Sequence, residues 1–133
     1  MRRPPVRVRT CLESLAMAYR EVLASLIVLT GETCRTLHIL GGGGQNRLLN
    51  QMAADATGCT VVAGPVEATA VGNLLVQAAG MGRIRGLQGI RTVVRDSFPL
   101  ETFQPKDRGP WEEAWKRFQG LRQAQGKNHE NPT

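Results

Sequence analysis

Aromatic residues are scarce in this chain of 133 residues, at 5%, and none is interleaved with its arginine clusters. A single-stranded nucleic-acid platform stacks bases on rings set among cations. That class of partner is therefore set aside, despite a net charge of +6. The cations read as solvated surface instead: Arg2, Arg3, Arg7 and Arg9 stand near the start, and Arg83, Arg85, Arg91 and Arg95 further on. Cysteine is sparse too. Cys11, Cys34 and Cys59 lie far apart with no C-x-x-C pair, and an odd number cannot complete a disulfide framework. His38 sits in an apolar run and His129 in a polar tail, so neither joins a thiol at metal-ligand spacing. The expectation is inert thiols in a reducing compartment, the cytoplasm, with no metal held by this chain. No apolar run reaches the ~20 residues of a membrane helix, and no secretory leader pattern is present.

What is there reads as one domain or less. Residues 1–9 are expected to form a loose basic N-terminus around Pro4-Pro5, residues 10–124 the folded portion, and residues 125–133 a disordered tail. Thr10-Cys11-Leu12-Glu13 has the form of a capping box. Leu12, Leu15, Ala16, Tyr19, Val22, Leu23 and Leu26 then keep the rhythm of an amphipathic helix that Gly31 stops. Short buried strands are expected over Thr36 to Leu40 and Thr60 to Ala63, the second ended by Gly64-Pro65. Between them a helix covers about Asn46 to Thr57, with Leu48, Leu49, Met52, Ala53 and Ala56 inward and Asp55 toward solvent. Helices also fit Glu67 to Ala79 and Leu87 to Arg95, with an extended link between Pro99 and Pro105. A last helix opens at Pro110 and carries Trp111, Ala114, Trp115, Phe118 and Leu121 on one face. This order is an α/β layout, and two short strands leave several apolar helix faces in need of a further layer.

The most informative run is Leu37-His38-Ile39-Leu40 followed by Gly41-Gly42-Gly43-Gly44-Gln45-Asn46 and a helix. Glycine admits close approach of a partner to main chain, and the free N–H groups of a helix start attract a phosphate or a base. The run lacks the Lys-Ser/Thr of a P-loop and the G-x-G-x-x-G of a dinucleotide fingerprint. A loop that only turns a corner uses glycine as well. Glu67 reads as a dipole cap for the third helix rather than as a catalytic carboxylate, because it has no partner base. Asn73 is expected to bond neighbouring backbone. Ser14, His38 and the thiols form no nucleophile–base set.

The segments Gly41 to Gln51, Ala54-Asp55-Ala56 and Ala63-Gly64-Pro65-Val66-Glu67-Ala68-Thr69-Ala70-Val71-Gly72-Asn73 together resemble the C-terminal lobe of the FGGY carbohydrate kinases, in the branch that acts on rhamnulose. Cys11 to Ala16 with Tyr19-Arg20 is similar to the helix preceding that motif, and Trp111 to Leu121 to the family's closing helix. The resemblance implies a partial actin-like ATPase (ribonuclease H-like) lobe, helix-rich with few short strands. It implies ATP and Mg²⁺ as cofactors, and transfer of the γ-phosphoryl group to the 1-hydroxyl of L-rhamnulose, giving L-rhamnulose 1-phosphate. It also moves the contact of the glycine loop from phosphates to adenosine. Gly42 and Gly43 would give base and ribose access to main chain, Asn46 would bond the adenine edge, and Gln45 is a further candidate. The resemblance implies that the family's first phosphate loop and most of the sugar site belong to an N-terminal lobe. It implies too that the catalytic aspartate lies upstream of the residues present, and that the metal is held through the missing part of the parent kinase. The expectation is a C-terminal fragment with no catalytic residue, inactive alone, whose partner is the missing lobe or a second copy. The alternative is a non-catalytic adenine-nucleotide-binding or interaction module.

Overall fold

The computed structural model describes the backbone of residues 5–129 and the side chains of residues 5–122. Helix α1 spans Val6–Thr30 and so starts before Thr10. Pro5 occupies the N-cap position without a side-chain cap. Proline suits a helix start, since its missing N–H falls where a helix has no acceptor to offer. Thr10 is consequently an interior residue, its hydroxyl donating to the Val6 carbonyl at 3.0 Å, and Glu13 pairs with Arg9 at 2.7 Å. The expected capping box is therefore absent, and residues 6–9 are helical rather than loose. Residues 1–4 lie outside the described residues. At the other end Gly31 takes φ +71° and its N–H reaches the Ile27 carbonyl, as a left-handed C-cap does.

Strand β1 (Thr36–Ile39) leads through the glycine run into α2 (Arg47–Thr57), and α2 returns the chain to β2 (Thr60–Ala63). A parallel pair needs such a crossover, and β1 and β2 are parallel, with Thr36 opposite Thr60 and Ile39 opposite Ala63. Helices α3 (Ala68–Gly80) and α4 (Gly86–Ser97) follow, then β3 (Glu101–Phe103) and α5 (Gly109–His129). Strand β3 lies in the segment expected to be only an extended link. It pairs antiparallel to β2, with Phe103 opposite Val61, so the sheet has order β1-β2-β3. Helix α5 continues past Gln125 to His129, and residues 130–133 of the expected tail lie outside the described residues.

Helix α2 is the centre of the core. One side packs Leu49, Met52 and Ala56 on Ala16 of α1, joined by Leu12, Tyr19 and Trp111. The other places Ala53 and Ala54 against Ile39, Val61, Ala63 and Phe103 of the sheet. Ala16, Ala53, Ala54 and Ala56 are fully buried. Their small side chains let helix, helix and sheet approach closely at interior packing density. With both sides covered, polar residues of α2 are buried as well: Asn50 completely, and Asp55 to 9% exposure. Asp55 thus faces inward rather than toward solvent, while Leu48, expected inside, is 40% exposed.

Helices α3 and α4 pack on each other and are covered less. Of the expected apolar face of α3 only Leu75 is buried, and Leu74 is 67% exposed. Asn73 is exposed and makes no side-chain hydrogen bond among the described residues.

Helix α5 is fastened to α1 by two ion pairs, an exposed one from Arg122 to Glu21 at 2.7 Å and a more buried one from Arg20. Arg20, largely buried, donates to Glu112 at 2.7 Å and lies 4.8 Å from the centre of the Trp115 ring, which stacks on Phe118. The Arg20 hydrogen bond holds the Glu112 carboxyl below its ordinary range, and Arg108 at 2.9 Å assists. A carboxylate depressed in the folded state stabilises the fold above its unfolded pKa, and that contribution is lost as pH falls through the depressed value. Thermal unfolding followed from neutral pH to below the ordinary carboxylate range should therefore show a steeper loss of Tm for the native chain than for Glu112→Gln. Parallel curves would remove Glu112 from the acid response. Arg20→Met should cost about 1–3 kcal/mol through the lost charged hydrogen bond.

Candidate functional site

The glycine run is a compact turn. Gly42–Gln45 form one turn of 3₁₀ helix, closed by Gly44 N–H to the Gly41 carbonyl at 3.1 Å and Asn46 N–H to the Gly43 carbonyl at 3.3 Å. The turn is tied to the segment after β2: Gly41 N–H donates to the Pro65 carbonyl, and Gly64 N–H to the Ile39 carbonyl. The four glycines serve different needs. Gly41 has φ +76°, and a Cβ on Gly44 would stand 3.0 Å from the Ile39 carbonyl oxygen and 3.4 Å from the Gly64 nitrogen. Both are glycine because the chain itself requires it. Gly42 and Gly43 have no positive φ, and a Cβ on either would meet nothing within 4 Å. No packing within the described residues calls for glycine at these two exposed positions.

Asn46 is the N-cap of α2, its Oδ1 accepting the Leu49 N–H at 3.1 Å. Its oxygen is thus committed to the helix, while its amide NH₂ makes no hydrogen bond among the described residues. Gln45 is exposed beside it. Gly42, Gly43, Gln45 and Asn46 are all exposed at the start of α2. A groove of about 810 Å³ lies elsewhere, between α1, α2 and α5, with Met17, Met52, Trp111 and Phe118 in its wall. It contains none of these four residues. Glu67 stands at the N-cap position of α3 without a side-chain cap bond, in keeping with a dipole role at most.

Two polar residues that periodicity placed on a helix do their work out of sight. Asn50 donates its Nδ2 to the Gly44 carbonyl at 2.7 Å, beneath the turn. Asp55 accepts from the Lys106 N–H at 2.7 Å and from Gln51 Nε2 at 3.0 Å, and Gln51 in turn donates to the Gln104 carbonyl at 2.8 Å. The residue order gave no signal for either, since periodicity placed Asp55 toward solvent and left Asn50 without a role. Of the thiols, Cys59 is buried, whereas Cys11 and Cys34 are exposed. Burial pushes the Cys59 thiol up, so it is protonated at neutral pH and no nucleophile.

Residues 2–81 match the FGGY family of carbohydrate kinases, C-terminal domain. The chain belongs to that family. Over 84% of its length it is 46% identical to a rhamnulokinase of Bacteroides thetaiotaomicron, covering 23% of that protein. It is 47% identical over 76% of its length to a rhamnulokinase of Enterobacter sp., and 42% identical over 86% to one of Yersinia pestis. The chain thus spans 21–24% of the length of these relatives. The helix-rich α/β architecture with its small mixed sheet is consistent with the C-terminal domain of this kinase family and its actin-like ATPase fold. Among the described residues no group of three His, Cys, Asp or Glu side chains could hold a metal ion, and no helix is long and apolar enough to cross a membrane.

Proposed function

We propose that this FGGY kinase domain supplies one wall of the adenosine site of an ATP-dependent sugar kinase that converts L-rhamnulose to L-rhamnulose 1-phosphate. The observation that carries the nucleotide reading is the pair Gly42 and Gly43, where the chain leaves open the space a Cβ would fill and nothing internal explains the choice of residue. A flat base or ribose can lie on that main chain. Asn46, with its oxygen occupied by the helix cap, offers a donor, which suits the acceptor nitrogens at the adenine edge. Gln45 adds a second amide at the rim. The sugar is proposed from the rhamnulokinase relatives. No residue of this chain is assigned to Mg²⁺ or to proton transfer. Phosphoryl transfer rests on positioning ATP, metal and hydroxyl together, and the residues present position only the nucleoside end.

The exposed apolar side chains support a further part of the kinase as partner. Val28 and Leu29 at the end of α1 are 83% and 81% exposed, and Met81 after α3 is 71% exposed, while the relatives are about four times as long. Residues 10–124 are accordingly read as a portion of a larger C-terminal domain, and the thiols, none of them in a disulfide, fit the cytoplasm.

Adenosine titration of the chain and of Asn46→Ser tests the site. Serine keeps the cap on Leu49 but loses the outward amide NH₂, which its shorter hydroxyl does not reach far enough to replace, so affinity should fall about tenfold with Tm unchanged. Equal affinities would remove Asn46 from the base contact, and no uptake by either protein would count against the nucleotide reading. A coupled assay with ATP and L-rhamnulose should show no turnover by the chain alone. Rhamnulose-dependent turnover would overturn its lack of a catalytic group.

A further inference from the structure

Asn50 is completely buried on α2, yet it spends its carboxamide on only one contact. Nδ2 donates to the Gly44 carbonyl at 2.7 Å, and the buried Oδ1 has no partner. An apolar residue would serve a packed helix better, because an unsatisfied buried acceptor destabilises a fold. Among the described residues this bond is the only one from a side chain to the run Gly41–Gly44; the other ties are between main-chain groups. Glycines have the widest conformational range of any residue, so a run of four is a poor platform unless something fixes it. Ordering it at the moment of binding would subtract from affinity.

We infer that Asn50 is a positioning residue for nucleotide binding, a latch that joins the glycine turn to the core helix α2 and holds Gly42 and Gly43 in the shape that accepts the nucleoside. This rests on the nucleotide reading of the turn. The geometry supports it in two ways. The latch grips Gly44, the one glycine of the run whose Cβ position is closed off by the Ile39 carbonyl and Gly64, so it secures the fixed end of the turn. It does so about one helical turn on from the cap Asn46, so that the turn and the cap are both tied to α2. The orphan Oδ1 is then the cost of having a donor at this point of the core.

The test uses the full chain with Asn50→Ala and Asn50→Leu. Both remove the donor, one leaving a small cavity and the other filling it with an apolar side chain of similar size, so a shared effect belongs to the lost donor. Amide hydrogen exchange without ligand reads the latch directly: protection at Gly44 and Asn46 should fall about tenfold, while Ala53 and Ala54 at the centre of α2 keep theirs. Titration with adenosine and with ADP, well below the Tm of each protein, should show affinity lowered about five- to tenfold by the same factor for both ligands. Unchanged exchange at Gly44 and Asn46 in the variant that folds overturns the latch, whether or not nucleotide binds. Altered exchange with unchanged affinity overturns the positioning role. If the native chain takes up neither ligand but the exchange changes as stated, the nucleotide reading fails and the latch stands as a fold element only.

Discussion

Asp55→Ala should lower the stability of the domain by about 2–4 kcal/mol, as hydrogen bonds to a charged acceptor and a donor left unpaired both enter. The carboxylate joins α2 to the connection between β3 and α5. It receives the Lys106 N–H at 2.7 Å and Gln51 at 3.0 Å, and Gln51 extends the link to the Gln104 carbonyl. Without it the Lys106 N–H loses its acceptor, and the segment that carries β3 toward α5 is released from the core. Asp55→Asn keeps an oxygen at the same place and should recover at least half of the loss. Denaturant unfolding of the three proteins checks this. An alanine variant as stable as the native chain would show that main-chain pairing of β3 with β2 suffices to hold the connection.

The second large effect separates glycines that serve the fold from glycines proposed to serve a ligand. Gly44→Ala pushes a methyl group to 3.0 Å from the Ile39 carbonyl oxygen, and that oxygen is itself fixed by Gly64 N–H. Neither main-chain partner can yield cheaply, so a destabilisation of about 1–3 kcal/mol is expected, the range for overpacking. A Cβ at Gly43 meets nothing within 4 Å, and the effect of Gly43→Val on unfolding should stay within about 0.5 kcal/mol, as for ordinary surface changes. Adenosine affinity should nevertheless fall at least tenfold, because the side chain occupies the surface proposed for the nucleoside. A Gly43→Val protein that binds adenosine as the native chain does would place the ligand elsewhere.

Helices and their ends were legible in the residue order because the signals are local. Period and terminators marked α2 and the body of α1, and Gly31, Gly58 and Asn46 stand where left-handed C-caps and a side-chain N-cap are found. The start of α1 was not legible, since Pro4-Pro5 followed by arginines looks like a loose end, whereas Pro5 can open a helix. Strand β3 was not legible either. Its three residues are too few for an alternating pattern, and their pairing with Val61 to Ala63 depends on residues about forty positions away in the chain.

By itself, the order of residues determined the α/β class, the helix that follows the glycine run, and the likeness to one kinase family. These follow from short-range periodicity, caps and a contiguous motif. Only the tertiary structure decided what each polar residue of α2 does, because burial on two sides depends on α1 and the sheet arriving together. It placed Asp55 in the core and Asn50 under the turn. It also divided four identical glycines into two that main-chain geometry requires and two that leave room for a guest. That division rests on distances to Ile39 and Gly64, which no local pattern encodes.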